Sequence, residues 1–263
     1  MPLLETLGSS SAKAFGLNAS IDGLVRSALL VDYDFGPNGS NNGSSTTVLD
    51  LSGNGYNGSL TSASLYNSAN KAIYLPGNST TTYMTGSSTA WQNLTSSNAW
   101  SMEWVLKDIK SPSGDTGFFV SASTSMVDNV VTIGTNPDTS NNRRTVTYAL
   151  GSGTQTLISG ADPFWNQNDA IQLLMTWNGT NIKMYKNGIL AATYSLTTYD
   201  PAPKNINRWI IGQESDGSDS GGWTFDPTQA FGGYIYANRL YNKVLLDSEV
   251  LQNYNYAKSR FNI

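Results

Sequence analysis

The sequence contains no cysteine and no histidine among its 263 residues. Without cysteine no disulfide can form, and zinc sites of the usual kind lose their thiolate and imidazole ligands. The missing imidazole also excludes Ser-His-Asp triads, Cys-His pairs and histidine general bases. Any catalysis by this chain would have to use carboxylates, tyrosine, lysine or serine.

Charge is scarce as well: charged residues form 13% of the chain, against about 25% in an average protein. The surface is instead made polar by 33 Ser, 26 Thr and 27 Asn. The net charge is −4, and Arg143-Arg144 is the only basic doublet, so we expect no nucleic-acid partner. No run of 18 apolar residues occurs, so we expect no membrane partner.

Short apolar runs separated by Gly, Asn, Ser, Asp and Pro follow an irregular N-terminal stretch. Residues 1–24 have isolated apolar side chains without a period and are predicted to form an extended arm. Residues 25–263 contain no linker and are predicted to form one domain. The short runs are typical of a β-sandwich or barrel.

The clearest predicted strand is Trp100–Lys107, where large apolar residues recur at every second position. Trp100, Met102, Trp104 and Leu106 therefore share one face. Glu103 lies on the opposite face, which the pattern predicts to point outward. Residues 171–177 alternate in the same way, and two Asn-Gly turns then predict a three-stranded meander. Leu173, Met175 and Trp177 are predicted to join the tryptophans in the core.

One helix is predicted, from Ser248 to about Arg260, with Asp247 as its N-cap. Val250, Tyr254 and Ala257 recur there at helical spacing.

Several segments, in this order, resemble the laminin-G-like, concanavalin A-like lectin/glucanase superfamily. They are Asp50–Leu60 (DLSGNGYNGSL), Ala72–Gly77, the strand from Trp100, Trp177–Gly188, Ile210–Gly212, Phe231–Asn242 and Leu246–Tyr254. The resemblance covers about residues 28–263. It implies an all-β, two-sheet antiparallel jelly-roll sandwich, with the short C-terminal helix and the N-terminal arm added to it.

The first 16 residues resemble the short leader of phage structural proteins that carry such domains. Together the two resemblances imply a non-enzymatic virion-surface protein, a capsid decoration or tail-fibre component, with a lectin-like domain that binds glycans. Its arm would contact other virion proteins or a second copy of the chain. The alternatives are an extracellular bacterial carbohydrate-binding or adhesion module and a glycoside hydrolase of the same fold.

The number and placement of the glutamates argue against a glycoside hydrolase. A retaining glycosidase needs two carboxyl groups about 5–5.5 Å apart. The chain has four Glu; Glu103 has no second carboxylate on its strand, and Glu214 lies in a Gly/Ser-rich stretch. We therefore expect no catalytic residues.

Calcium is the cofactor that the resemblance implies, because relatives of this fold hold the ion at an edge of the sandwich. Asp32 and Asp34 project to one face, and Asp50 and Asn54 lie in a Gly-rich turn, so these four are candidate ligands. Asp216, Asp219 and Asp226 form a separate candidate group. The alternative is that Asp50 and Asn54 form turns without a metal.

Three tryptophans in polar contexts are candidate stacking platforms for a sugar or anchors for an interface: Trp91, Trp165 and Trp223. The alternative is that these rings close the ends of the sandwich.

Overall fold

The computed structural model describes residues 23–97, 99–109, 117–123, 131–138, 143–150, 155–195, 208–214, 216–218 and 222–263. The helices in these ranges are α1 (Ser88–Thr95) and α2 (Asp247–Phe261), with a 3-10 turn at Ala63–Leu65. The strands are β1 (Leu29–Asp34), β2 (Thr47–Val48), β3 (Gly58–Leu60), β4 (Tyr66–Asn67), β5 (Ala72–Pro76), β6 (Met84–Gly86), β7 (Trp100–Asp108), β8 (Gly117–Ser123), β9 (Val131–Asp138), β10 (Arg143–Leu150), β11 (Gln155–Asn166), β12 (Ala170–Trp177), β13 (Asn181–Lys186), β14 (Ile189–Ser195), β15 (Arg208–Ile211), β16 (Asp216–Ser218), β17 (Gly222–Thr224) and β18 (Gly232–Tyr241).

Two antiparallel sheets form the sandwich. Sheet A has the order β14-β13-β12-β7-β18-β5-β4, and β1 also pairs with β18. Sheet B has the order β11-β10-β9-β8-β15-β6-β3-β2, and β16 and β17 form a separate hairpin. This is the jelly-roll sandwich that the sequence predicts.

The core between the sheets confirms the predicted alternation. β7 and β12 pair so that Trp104 lies opposite Leu173 and Met102 opposite Met175. All seven predicted core residues are buried there: Trp100, Met102, Trp104, Leu106, Leu173, Met175 and Trp177.

Helix α2 covers the outer face of sheet A. Val250 packs with Tyr185, Leu174 and Tyr241, and Ala257 packs with residues of β7 and β18. The predicted N-cap is wrong by one residue, because Asp247 already belongs to the helix and Leu246 precedes it. Glu249 accepts the backbone N–H of Leu246 at 3.0 Å and satisfies one of the donors that a helix start leaves free.

The predicted arm lies almost entirely outside the described residues, which begin at Gly23. Leu24 and Val25 are buried against α2 with Tyr241 and Leu245. No helix in the described part of the chain is long and apolar enough to span a bilayer.

Candidate functional site

Asp32 and Asp34, two of the predicted calcium ligands, face the same side of β1, as their spacing predicts. Their common partner is Arg239 on β18. Its Nε donates to Oδ1 of Asp32 at 2.8 Å, and its Nη2 donates to Oδ2 of Asp34 at 3.0 Å. All three side chains are buried, so a cation of the chain itself compensates both carboxylates.

Asp50 and Asn54, the other two predicted ligands, tie the Gly-rich loop to β1. One carboxylate oxygen of Asp50 accepts the backbone N–H of Asp32, and the other accepts that of Tyr56, each at 3.0 Å. The amide nitrogen of Asn54 donates to the carbonyl oxygen of Leu30 at 3.0 Å. These contacts are those of residues that stabilise turns.

The four residues do not fit a calcium site. Ca²⁺ takes about six to eight oxygen ligands. Here Arg239 occupies the position between Asp32 and Asp34, and the oxygens of Asp50 accept backbone N–H groups. Within the described ranges, no group of three or more acidic residues is arranged to hold a metal ion. Calcium binding elsewhere on the chain stays a prediction.

Glu103 extends the charged cluster across the sheet. The strand register places Asp32, Arg239 and Glu103 in one row across β1, β18 and β7. Nη1 of Arg239 lies 3.5 Å from Oε1 of Glu103, which also accepts from Gln172 at 2.7 Å. Asn253 of α2 donates to Oε2 of Glu103 at 2.8 Å. Glu103 does point outward from the sandwich core, as predicted, but it is not exposed, since α2 covers it.

The electrostatics of the cluster follow from burial and from an excess of carboxylates. Burial raises the pKa of Asp32 above its usual value, and neighbouring Asp34 adds to the rise, while Arg239 opposes it. Burial alone would lower the pKa of Arg239, but the three carboxylates together keep it well above its usual value. The guanidinium therefore stays charged and binds the three strands together.

The cluster reaches the surface through α2. Nε of Arg260 donates to Oδ2 of Asp34 at 2.6 Å, and Nη2 donates to the carbonyl oxygen of Pro37 at 3.0 Å. The hydroxyl of Tyr256 donates to the same Asp34 oxygen at 3.3 Å. Burial and the charge of Asp34 raise the pKa of Tyr256 to about 12, so the phenol stays protonated at neutral pH.

A surface groove of about 730 Å³ runs along the outer side of α2. Four uncharged polar residues of the helix line it at intervals of four, three and four positions, the spacing of one helix face. They are Ser248, Gln252, Asn255 and Ser259. The remaining lining residues are Gly23, Pro37, Leu251, Tyr256 and Arg260. We refer to this feature as the α2 groove.

Two of the three candidate platforms are buried, so the sugar-stacking role predicted for them is wrong. Trp91 is 1% exposed in α1, and Trp165 is 3% exposed in β11. Both belong to the core between the sheets, which agrees with the alternative interpretation. Trp223 lies on β17, and its side chain falls outside the described part of the structure.

The α2 groove is not evident from the sequence. The 4-3-4 spacing of its Ser, Gln and Asn residues is visible in the sequence, but the same spacing is typical of any exposed helix face. Gly23 and Pro37, which lie more than 200 positions before the helix residues, complete the groove only in the folded chain.

No protein-family model matches the chain, and no curated protein matches it in sequence. Several solved structures match the chain in fold. Domain 4 of AbnA, a GH43 extracellular arabinanase from Geobacillus stearothermophilus solved in complex with arabinotriose, is 17% identical over 86% of this chain and 97% of its own, with a TM-score of 0.54. Trypanosoma rangeli sialidase is 14% identical over 92% of this chain, with a TM-score of 0.60. A pentraxin from Limulus polyphemus is 16% identical over 59% of this chain and 69% of its own, with a TM-score of 0.47.

These comparisons correct the expectation that the chain is not an enzyme. About a third of a sialidase chain and a domain of an arabinanase, both glycoside hydrolases, share the fold of this chain, and this contradicts the non-enzymatic assignment. This chain spans about a third of the sialidase chain, 34% in the structure just described. At these identities the likeness shows the fold alone, a two-sheet jelly-roll sandwich.

Proposed function

We propose that this chain is a carbohydrate-binding domain that takes an oligosaccharide. The observation that carries the proposal is the match to Domain 4 of AbnA, because the two chains correspond over nearly the whole of that domain, which was solved in complex with arabinotriose. The correspondence is therefore to a complete sugar-bound unit.

The surface chemistry of the chain supports the same function. Sugars present many neutral hydroxyl groups, which hydroxyl and amide side chains recognise by donating and accepting hydrogen bonds. Ser, Thr and Asn are abundant, whereas charged residues form only 13% of the chain. The α2 groove is lined in this manner, and its volume falls within the range of about 300–1,000 Å³ typical of small-ligand sites.

Titration of the full chain with a panel of oligosaccharides tests the proposal. We expect saturable heat of binding with at least one neutral oligosaccharide, beginning with arabinotriose, and none with an equally concentrated polyol such as sorbitol. Chromatography of the same samples after incubation measures any cleavage of the glycan. If no oligosaccharide of the panel binds saturably, the proposed function is wrong.

We also propose that the domain is part of a phage virion surface, where residues 1–24 contact other virion proteins or a second copy of the chain. The support is the leader-like sequence of the first 16 residues. We expect the chain in stoichiometric amount in purified virions by mass spectrometry. Recovery only from the culture medium, free of particles, would favour an extracellular bacterial module instead.

A further inference from the structure

We infer that the α2 groove is the site where the sugar binds and that its ligand is a neutral oligosaccharide. This inference rests on the proposed function, since it assigns a place and a ligand class to carbohydrate binding.

The groove presents hydrogen-bonding groups that carry no charge. Gln252 and Asn255 each offer an amide with two N–H donors and one carbonyl acceptor, and Ser248 and Ser259 offer hydroxyl groups. Asn255 and both serines are exposed, and Gln252 is half-buried. A row of such groups along one helix face matches the repeated hydroxyl groups of a linear oligosaccharide.

The one charged lining residue is already neutralised. Arg260 binds the buried carboxylate of Asp34 through Nε, and that ion pair is 2.6 Å long. Its side chain is 22% exposed, and Nη2 is bound to Pro37. The carboxylate of Asp34 already compensates the charge of this guanidinium, and the groove therefore favours a neutral sugar over an acidic one.

One wall of the groove is held rigidly. Tyr256 and Arg260 share Asp34 as acceptor, and the guanidinium of Arg260 lies 5.9 Å from the centre of the Tyr256 ring. Gly36 leaves room for it, because a Cβ at that position would lie 2.8 Å from Nε of Arg260. A wall fixed before the ligand arrives lowers the ordering cost of binding. Leu251 and Pro37 add apolar surface for the C–H faces of a sugar ring.

The decisive variant removes both amides, Gln252→Ala together with Asn255→Ala. Alanine has the higher helix propensity, so α2 should form as before, which far-ultraviolet circular dichroism checks. We expect affinity for the neutral oligosaccharide found by titration to fall about tenfold, because two hydrogen-bonding groups are lost. The matched control is Lys258→Ala, which changes an exposed residue of the same helix outside the groove and should bind like the wild type.

A second variant, Ser259→Trp, fills the groove instead of truncating its lining, and it should abolish binding while the melting temperature stays near that of the wild type. If both variants bind the oligosaccharide with the affinity of the wild type, the assignment of the groove is overturned and the proposed function stays intact. Tighter binding of acidic than of neutral oligosaccharides would overturn the ligand class. Failure of the wild type to bind any oligosaccharide would overturn the proposed function itself.

Discussion

Replacing Arg239 by methionine is expected to lower the free energy of unfolding by about 3–5 kcal/mol. Arg239 is 0% exposed and lies among the carboxylates of Asp32, Asp34 and Glu103. Methionine fills much of the same space but leaves these carboxylates buried without their central cation. Removal of one partner from a buried charge cluster costs far more than the intact cluster contributes. Chemical denaturation monitored by tryptophan fluorescence measures the loss.

Lys243→Met is the matched control. Lys243 pairs with Glu249 at 2.6 Å, but both side chains are partly exposed, so we expect a loss of about 0–1 kcal/mol. A pH series separates charge from packing. Burial raises the pKa of Asp32 and Arg239 opposes the rise, so without Arg239 this pKa is higher still, and stability from such a group is lost as pH rises. The deficit of Arg239→Met should therefore be larger at about pH 7 than at about pH 4. An equal deficit at both pH values would show that packing, and not charge, is responsible.

The parts of the fold that the sequence predicts correctly depend on local periodicity. Alternation in β7 and β12 places Trp104 and Leu173 in the core, because residues two apart on a strand must share a face. The helical spacing of Val250 and Ala257 likewise predicts α2 and its buried side. In both cases the relevant neighbours lie within a few positions along the chain.

The burial of Glu103 depends instead on neighbours far along the chain. Its partners Arg239 and Asn253 are 136 and 150 positions away, so no local pattern distinguishes it from a solvent-facing carboxylate. The burial of Trp91 and Trp165 is not visible in the sequence for a related reason. Polar neighbours and Pro163 obscure the local sequence patterns of α1 and β11. The structure of both elements depends on packing against the sandwich.

Trp209→Ala is expected to lower the free energy of unfolding by about 3–5 kcal/mol. Trp209 on β15 is 0% exposed, and its ring centre lies 5.7 Å from that of Tyr33 and 5.6 Å from that of Trp91. The three rings join sheet B to β1 of sheet A and to α1. Alanine leaves a cavity at this junction, since neither sheet can close around the missing ring without disturbing its strand pairing. Ile189→Ala, at a side chain 71% exposed on β14, is the control and should change stability by less than about 0.5 kcal/mol.

A double-mutant cycle with Gly86 tests whether Trp209 fills this junction as described. Gly86 pairs with Trp209 across β6 and β15, and a Cβ at Gly86 would lie 2.6 Å from Cδ2 of the indole. Gly86→Ala alone should therefore destabilise the protein by overpacking, by about 1–3 kcal/mol. In the Trp209→Ala background the added methyl enters space that the indole has left, so the double variant should be more stable than the two single losses predict. Strict additivity of the two losses would show that the indole does not press against Gly86, and the arrangement of the three rings would then need revision.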